Sequence, residues 1–154
     1  MSFVTEHLER SGVPYEVAEH PRAVTSMAEA RALGIAADEV VTTVVLITDQ
    51  GPALVVIPAS CRLDLRLARE AIGDHAARLA SEDELQQSYS ECELGALPPL
   101  GSLLGGAPVF VDPEVLEHDT VMFAAGTQTQ SIKARSADLF RGAQVRVIPL
   151  TRPD

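Results

Sequence analysis

The sequence predicts a mixed α/β (α+β) fold, a small mixed sheet or partly closed barrel with helices packed outside it. Three observations carry that expectation. Helical and extended signals alternate along the chain without the strict strand–helix–strand rhythm of a doubly wound sheet. Apolar residues make up 46% of the total, enough for a real core. The 154 residues suit one domain, spanning 1–154, with no internal repeat and no low-complexity tract.

Taken in order, Ser2 is placed to cap a helix that runs to about Leu8 and stops at Gly12. Residues 15–19 alternate as a short strand before His20-Pro21 turns the chain. Ser26 with Glu29 reads as a capping box for a helix over 27–33, ended by Gly34. Residues 40–48 are too β-branched for a good helix and read as a buried strand. A turn at Asp49-Gln50-Gly51-Pro52 leads to a second strand at 53–58, so the two form a hairpin. Leu63, Leu65, Leu67, Ala68, Ala71 and Ile72 populate a helix with Gly73 just past its end. Ser81 and Glu84 make another capping box, opening a helix to about Ser88. Residues 90–106 hold four glycines and two prolines and little regular structure. Structureless stretches beyond about 12–15 residues are usually functional or disordered. Residues 109–111, 120–124, 131–135 and 145–148 read as strands, and Ser136 is placed to cap a last helical turn to Phe140.

Charge narrows the function. Twelve Lys and Arg stand against 22 Asp and Glu, a net charge of −10, and Lys133 is the only lysine. Such a surface argues against non-specific nucleic-acid binding, which rests on cations neutralising phosphates. It leaves room for a single nucleotide terminus in a local pocket. Cys61 and Cys92 are far apart with no CxxC spacing, and the four histidines show no metal-like pairing, so no metal and no cofactor is expected. The first residues lack a basic region followed by an apolar run, and no apolar stretch nears a membrane span. A soluble cytoplasmic protein is expected.

The stretch Gly95-Ala96-Leu97-Pro98-Pro99-Leu100-Gly101-Ser102 is the most informative. Prolines stiffen it, and glycines permit conformations that turn N–H groups toward one point, where an anion or developing oxyanion can sit. A rigid turn between strands is the other reading. Residues 126–131 either lend hydroxyl and amide groups to a pocket rim or form a solvated hairpin loop. His20 either orients a substrate group or bonds nearby backbone. Cys61 reads as a small buried hydrophobe.

In order, His20-Pro21, the helix at 27–34, Glu39-Val40-Val41-Thr42-Thr43-Val44-Val45-Leu46, Leu63-Asp64-Leu65, the 95–101 stretch, Val111-Asp112, Phe123-Ala124-Ala125-Gly126 and Ser136-Ala137-Asp138-Leu139 resemble the YbaK/prolyl-tRNA synthetase-associated domain family. The ordered set, from about His20 to Phe140, carries the resemblance; any single motif is weak. It implies that family's fold and hydrolysis of the ester joining a wrong amino acid to the terminal ribose of a tRNA. By resemblance, Gly95, Ala96 and Pro99 supply the carbonyl-cradling loop, with Ala96 at its tip, and Ala125 and Gly126 line the amino-acid side. His20, Thr25 and Gly101 are further candidates for substrate binding. The family generally carries a Lys-Thr pair after two valines; here the pair is Thr42-Thr43, so Thr42 stands where the lysine belongs. Lys133 is then either a cation approaching the pocket from another wall or a surface lysine. The implied partners are the acceptor end of an aminoacyl-tRNA and a synthetase. The alternative is a domain that no longer catalyses and binds an aminoacyl or nucleotide end or a protein partner.

Overall fold

The computed structural model describes residues 2–142 and 144–152. Its elements begin α1 (Phe3–Arg10), β1 (Tyr15–Glu19), α2 (Ser26–Leu33), β2 (Val41–Thr48), β3 (Gly51–Pro58), β4 (Arg62–Leu63), α3 (Leu65–Ile72) and β5 (Arg78–Leu79). They continue with α4 (Glu82–Ser88), β6 (Val109–Val111), β7 (Thr120–Ala124), β8 (Gln130–Arg135), α5 (Ser136–Leu139), β9 (Val145–Val147) and β10 (Thr151–Arg152). Short 3-10 turns occupy Ala37–Glu39, Gly101–Leu103 and Pro113–Glu117.

The main sheet runs β5-β2-β3-β6-β9, antiparallel on the β5 side of β3 and parallel on the β9 side. It is covered on both faces. Leu54 and Val56 of β3 join a core shared with Val4 and Leu8 of α1 and with Phe123 and Ile132 of the second sheet. Ala53, Val55 and Ile57 point the other way, against Ala68 and Ala71 of α3. Burial of both faces is why 53–58 is an unbroken apolar run rather than an alternating one. The second sheet, β1-β8-β7, is antiparallel throughout, and a single parallel bridge from Val40 to Met122 ties it to the first. The mixed α/β class expected from the alternating signals is the one observed.

Local signals were mostly read correctly, with instructive exceptions. Ser2 caps α1 and the Ser81–Glu84 capping box opens α4. The α2 cap, however, is Thr25, whose hydroxyl accepts from the Ala28 N–H, and not Ser26. Glu29 is therefore free of capping and is buried instead. The helix placed from Leu63 begins at Leu65, because the Asp64 carboxylate caps it through the N–H groups of Arg66 and Leu67. Ser136 opens α5 but caps nothing; its hydroxyl donates to the His118 carbonyl at 2.6 Å. The Asp112 carboxylate accepts from Glu114, Leu150 and Thr151, locking the chain end to β6.

Candidate functional site

A cavity of about 380 Å³ opens where α2, β2, β3 and the 95–97 segment meet. Val24, Met27, Val41, Ile57, Leu85, Leu97 and Ala124 give it an apolar wall, with Thr25, Ser26, Thr42, Thr43 and Cys61 as its polar residues. Thr42 pairs with Ile57 and Thr43 with Val56, so the two threonines face opposite sides of the sheet. The Thr43 hydroxyl is buried and, among the described residues, has no hydrogen-bond partner.

Gly95 is the tightest point of the site. Its φ is +76°, and a Cβ built there would lie 1.8 Å from the Val24 carbonyl oxygen. Only glycine lets the loop approach the 20–25 segment this closely. The Ala96 N–H turns inward to Glu93 O at 3.1 Å. Pro98 and Pro99 carry no N–H. Gly95 and Leu97 both line the cavity, and their N–H groups bond to no acceptor among the described residues.

Both walls are held from behind by the loop between β7 and β8. Glu93 N–H donates to Gly126 O and Gly126 N–H donates to Ala96 O, at 2.9 and 3.1 Å. His20 N–H donates to Thr129 O and Ala23 N–H to Gln128 O. A hydrogen-bonded chain, exposed at His20 and buried at Glu29, adds to this. The His20 Nδ1–H donates to the Pro21 carbonyl at 2.8 Å, His20 Nε2 lies 2.9 Å from Ser131 Oγ, and the Ser131 hydroxyl meets the Glu29 carboxylate. Glu29 is 4% exposed, and burial pushes its carboxyl above the usual range against the opposing pull of Ser131 and His20.

Of the residues expected to share a site, the cavity brings together Gly95, Thr25 and Thr42. Ala96 is buried beneath the loop rather than at an open tip. Ala125 lies in the core, and Gly126 packs on Phe3 while bonding the loop, so neither is on the cavity wall; Ala124 is. His20 holds Ser131. Pro99 and Gly101 border a second cavity, of about 450 Å³, beside His7, Leu8 and Leu139. Lys133 is exposed on β8 and pairs across strands with Glu16 and Met122, away from the cavity lining. Strand alternation decides that: Ile132 and Ala134 take the buried face.

Cys61 was read as a small buried hydrophobe but is half-buried in the cavity wall, donating from Sγ to Glu114 Oε2 at 3.1 Å. Burial first, and then the Glu114 carboxylate, push its thiol up, so it is protonated at neutral pH. The segment 126–131, for which a pocket rim and a solvated hairpin loop were the two readings, buries Gln128 and Ser131 and is outside the cavity lining. No cation lines the cavity among the described residues, and no group of three or more His, Cys, Asp or Glu could hold a metal. Among the described residues no helix is long and apolar enough to cross a membrane.

Comparison with solved structures supports the fold. Hypothetical protein APE2540 is 22% identical, with a TM-score of 0.87 over 97% of this chain and 99% of that one. A structure named "putative trans-editing enzyme for prolyl tRNA synthetase" is 24% identical, with a TM-score of 0.84 over 99% of each chain. A "putative signal transduction protein" from Marinobacter aquaeolei is 23% identical, with a TM-score of 0.71 over 98% of this chain but 31% of that one. None of the curated proteins matches the sequence. The family model for the aminoacyl-tRNA editing domain matches residues 20–141, most of the chain and all of the cavity's walls. The chain belongs to the aminoacyl-tRNA editing domain family.

Proposed function

We propose that the protein is a trans-acting aminoacyl-tRNA deacylase that hydrolyses the ester of a mischarged tRNA at the Gly95 cavity. The observation that carries this reading is the glycine-forced contact of the 95–97 segment with Val24, on a cavity lined by Gly95 and Leu97, whose N–H groups bond to no acceptor among the described residues. An aminoacyl ester is already activated. Water adds to its carbonyl, directly or after the acyl group has moved to the neighbouring ribose hydroxyl. The bond to the ribose oxygen then breaks, leaving a free amino acid and a tRNA hydroxyl. The protein's part is to position the carbonyl, to meet its developing charge with the N–H groups of Gly95 and Leu97, and to size-select the side chain against Val24, Ile57 and Leu97. Selection by size is what a second sieve requires.

A second reading is favoured by one observation. Thr42 occupies the position of the family's lysine, and among the described residues no cation replaces it in the cavity wall. On that reading the domain binds an aminoacyl or nucleotide end, or a protein partner, without turnover. A panel of mischarged tRNAs separates the two, and the similar structure named for prolyl-tRNA synthetase makes a tRNA for proline the first to load. Release of amino acid above the spontaneous rate on any member supports the deacylase. A flat panel with measurable binding supports the second reading. On either, a chain of charge −10 should hold whole tRNA weakly and lose it as salt rises, with contact centred on the acceptor end.

A further inference from the structure

We propose that Gln128 is the positioning residue that sets the gap between the two walls of the Gly95 cavity; its consequence for turnover rests on the deacylase reading above. Gln128 is in the loop between β7 and β8, outside the cavity lining and 9% exposed. Its hydrogen bonds run to both walls. Its main-chain N–H donates to Glu93 Oε1 at 2.7 Å, and its carbonyl accepts from the Ala23 N–H at 2.8 Å. In the side chain, Nε2 donates to Leu94 O at 2.8 Å and Oε1 accepts from Arg22 Nη1. Arg22 in turn lies 3.5 Å from Glu93 Oε2.

One residue therefore grips the segment leading into Gly95 and the segment leading into Val24 and Thr25. The amide is the reason a glutamine stands there. It offers a donor to Leu94 and an acceptor to Arg22 from one planar group. A glutamate would turn a second acceptor toward the Leu94 carbonyl and the Glu93 carboxylate; a methionine would offer nothing to either side. Where the two walls meet, the Gly95 backbone already touches the Val24 carbonyl with no room for a methyl group. Small shifts at Gln128 thus pass directly to the N–H groups of Gly95 and Leu97. A misplacement on the order of 1 Å costs about 100-fold in rate.

The test compares Gln128→Met, Gln128→Glu and Arg22→Met with wild type by two readouts. Amide exchange is followed at Ala23 on one side and at Glu93, Ala96 and Gly126 on the other, with β2–β3 amides as the global reference. Steady-state kinetics use a mischarged tRNA that wild type hydrolyses. Gln128→Met should raise exchange about tenfold on both sides relative to the reference. It should lower kcat by roughly 10- to 100-fold with KM nearly unchanged. Gln128→Glu, which still meets Arg22, should loosen the loop side alone, and Arg22→Met the Ala23 side alone. Exchange that rises only in step with the β2–β3 reference overturns the proposal, as does a normal kcat in Gln128→Met. If wild type hydrolyses no tRNA, the deacylase reading fails, and the one-sided exchange pattern still decides whether Gln128 positions the walls.

Discussion

The glycine-rich stretch has a front half, residues 93–97, and a rear half, residues 100–107, and the two are held in opposite ways. The front half is bonded to distant parts of the chain: Glu93 and Ala96 to Gly126, and Leu94 to Gln128. The main chain of the rear half is bonded to itself, with Leu103 N–H on Leu100 O and both Leu104 and Gly106 N–H on Gly101 O, and its outward bond is the exposed Ser102 hydroxyl, 3.1 Å from His7 Nε2. Each half has a glycine that cannot carry a side chain. Gly95 presses on the Val24 carbonyl, 71 positions away in sequence, whereas Gly101 presses on Ala107 of its own turn, where a Cβ would meet the carbonyl at 2.1 Å. A cavity larger than the Gly95 one, about 450 Å³, lies beside the rear half, and another of the same volume lies beside Glu93 and Leu94. Volume is the poorer guide to chemistry here. A loop fixed by the rest of the fold can hold donors in place before substrate arrives, and a self-contained turn only holds its own shape.

Substitution of the two glycines is the strongest way to break this contrast. Gly95→Ala should lower deacylation about 100-fold, because the added carbon forces the loop off Val24 and shifts both free N–H groups. It should also cost about 1–2 kcal/mol for the left-handed conformation alone. Gly101→Ala should cost stability through the Ala107 clash while leaving turnover per folded molecule within a few-fold. Melting temperature and kcat measured together give the answer. Equal losses of kcat would mean that both halves serve the site, as the family resemblance implied for Gly101.

The next effect tests what the front cavity lacks. Thr42→Lys should raise deacylation about tenfold, or create it, by bringing a cation to the strand beside Gly95. The variant should also melt earlier, since an unpaired ammonium is costly to bury. Lys133→Ala should change neither activity nor stability appreciably, because that side chain is exposed on β8. Loss of activity in Lys133→Ala would show that the exposed lysine reaches substrate after all. A folded Thr42→Lys that is inert on every tRNA would move the balance to the binding-module reading.

The same contrast explains what was legible beforehand. Strands and caps are local, so β2, β3, α4 and the stop at Gly34 could be read from branching, spacing and a glycine. Gly95 could be singled out, because glycine beside proline is a strong signal even without its partner. What it presses against could not, since nothing local to Val24 announces a carbonyl 1.8 Å from a missing Cβ. Gln128 was equally silent: a glutamine between two threonines looks solvated, and its four bonds reach residues more than 30 positions away. The two-residue strands β4, β5 and β10 are too short to show a period at all. Ala125 and Gly126 fell one turn of reasoning short, supporting the loop instead of facing the cavity.

A smaller effect is expected at Thr43. Its buried hydroxyl has no partner among the described residues, so Thr43→Val removes an unpaired polar group and keeps the volume. Stability should rise by about 1 kcal/mol, read as a shift in the urea midpoint at unchanged slope. Turnover should stay near wild type, because the hydroxyl is covered rather than presented to the cavity. A drop in kcat without a gain in stability would mean that substrate uncovers this hydroxyl, and Thr43 would then join the front wall's working groups.

The smallest effect lies behind that wall, at Glu29. Its carboxyl is pushed above its ordinary value of 4.5 chiefly by burial, while the Ser131 hydrogen bond and the charge on His20 pull the other way. The sign follows from proton counting. Above pH 4.5 the unfolded chain gives up this proton while the folded protein keeps it, so the unfolded state binds fewer protons. The stability Glu29 contributes is thus fully present below that pH and is lost as pH rises through its folded value. Glu29→Gln keeps a hydrogen-bonding group for Ser131 but cannot ionise. The variant should match wild type in mild acid and become progressively the more stable of the two as pH rises above 4.5 toward the folded value of Glu29. Urea midpoints at a series of pH values measure the difference. A difference that stays constant would show that Glu29 keeps its ordinary value in the folded protein, and one that turns in wild type's favour as pH rises would show that it is ionised throughout, held so by His20 across Ser131. The chain behind α2 would then be an ion pair bridged by a hydroxyl, and the wall carrying Thr25 would be held more firmly at neutral pH than in acid.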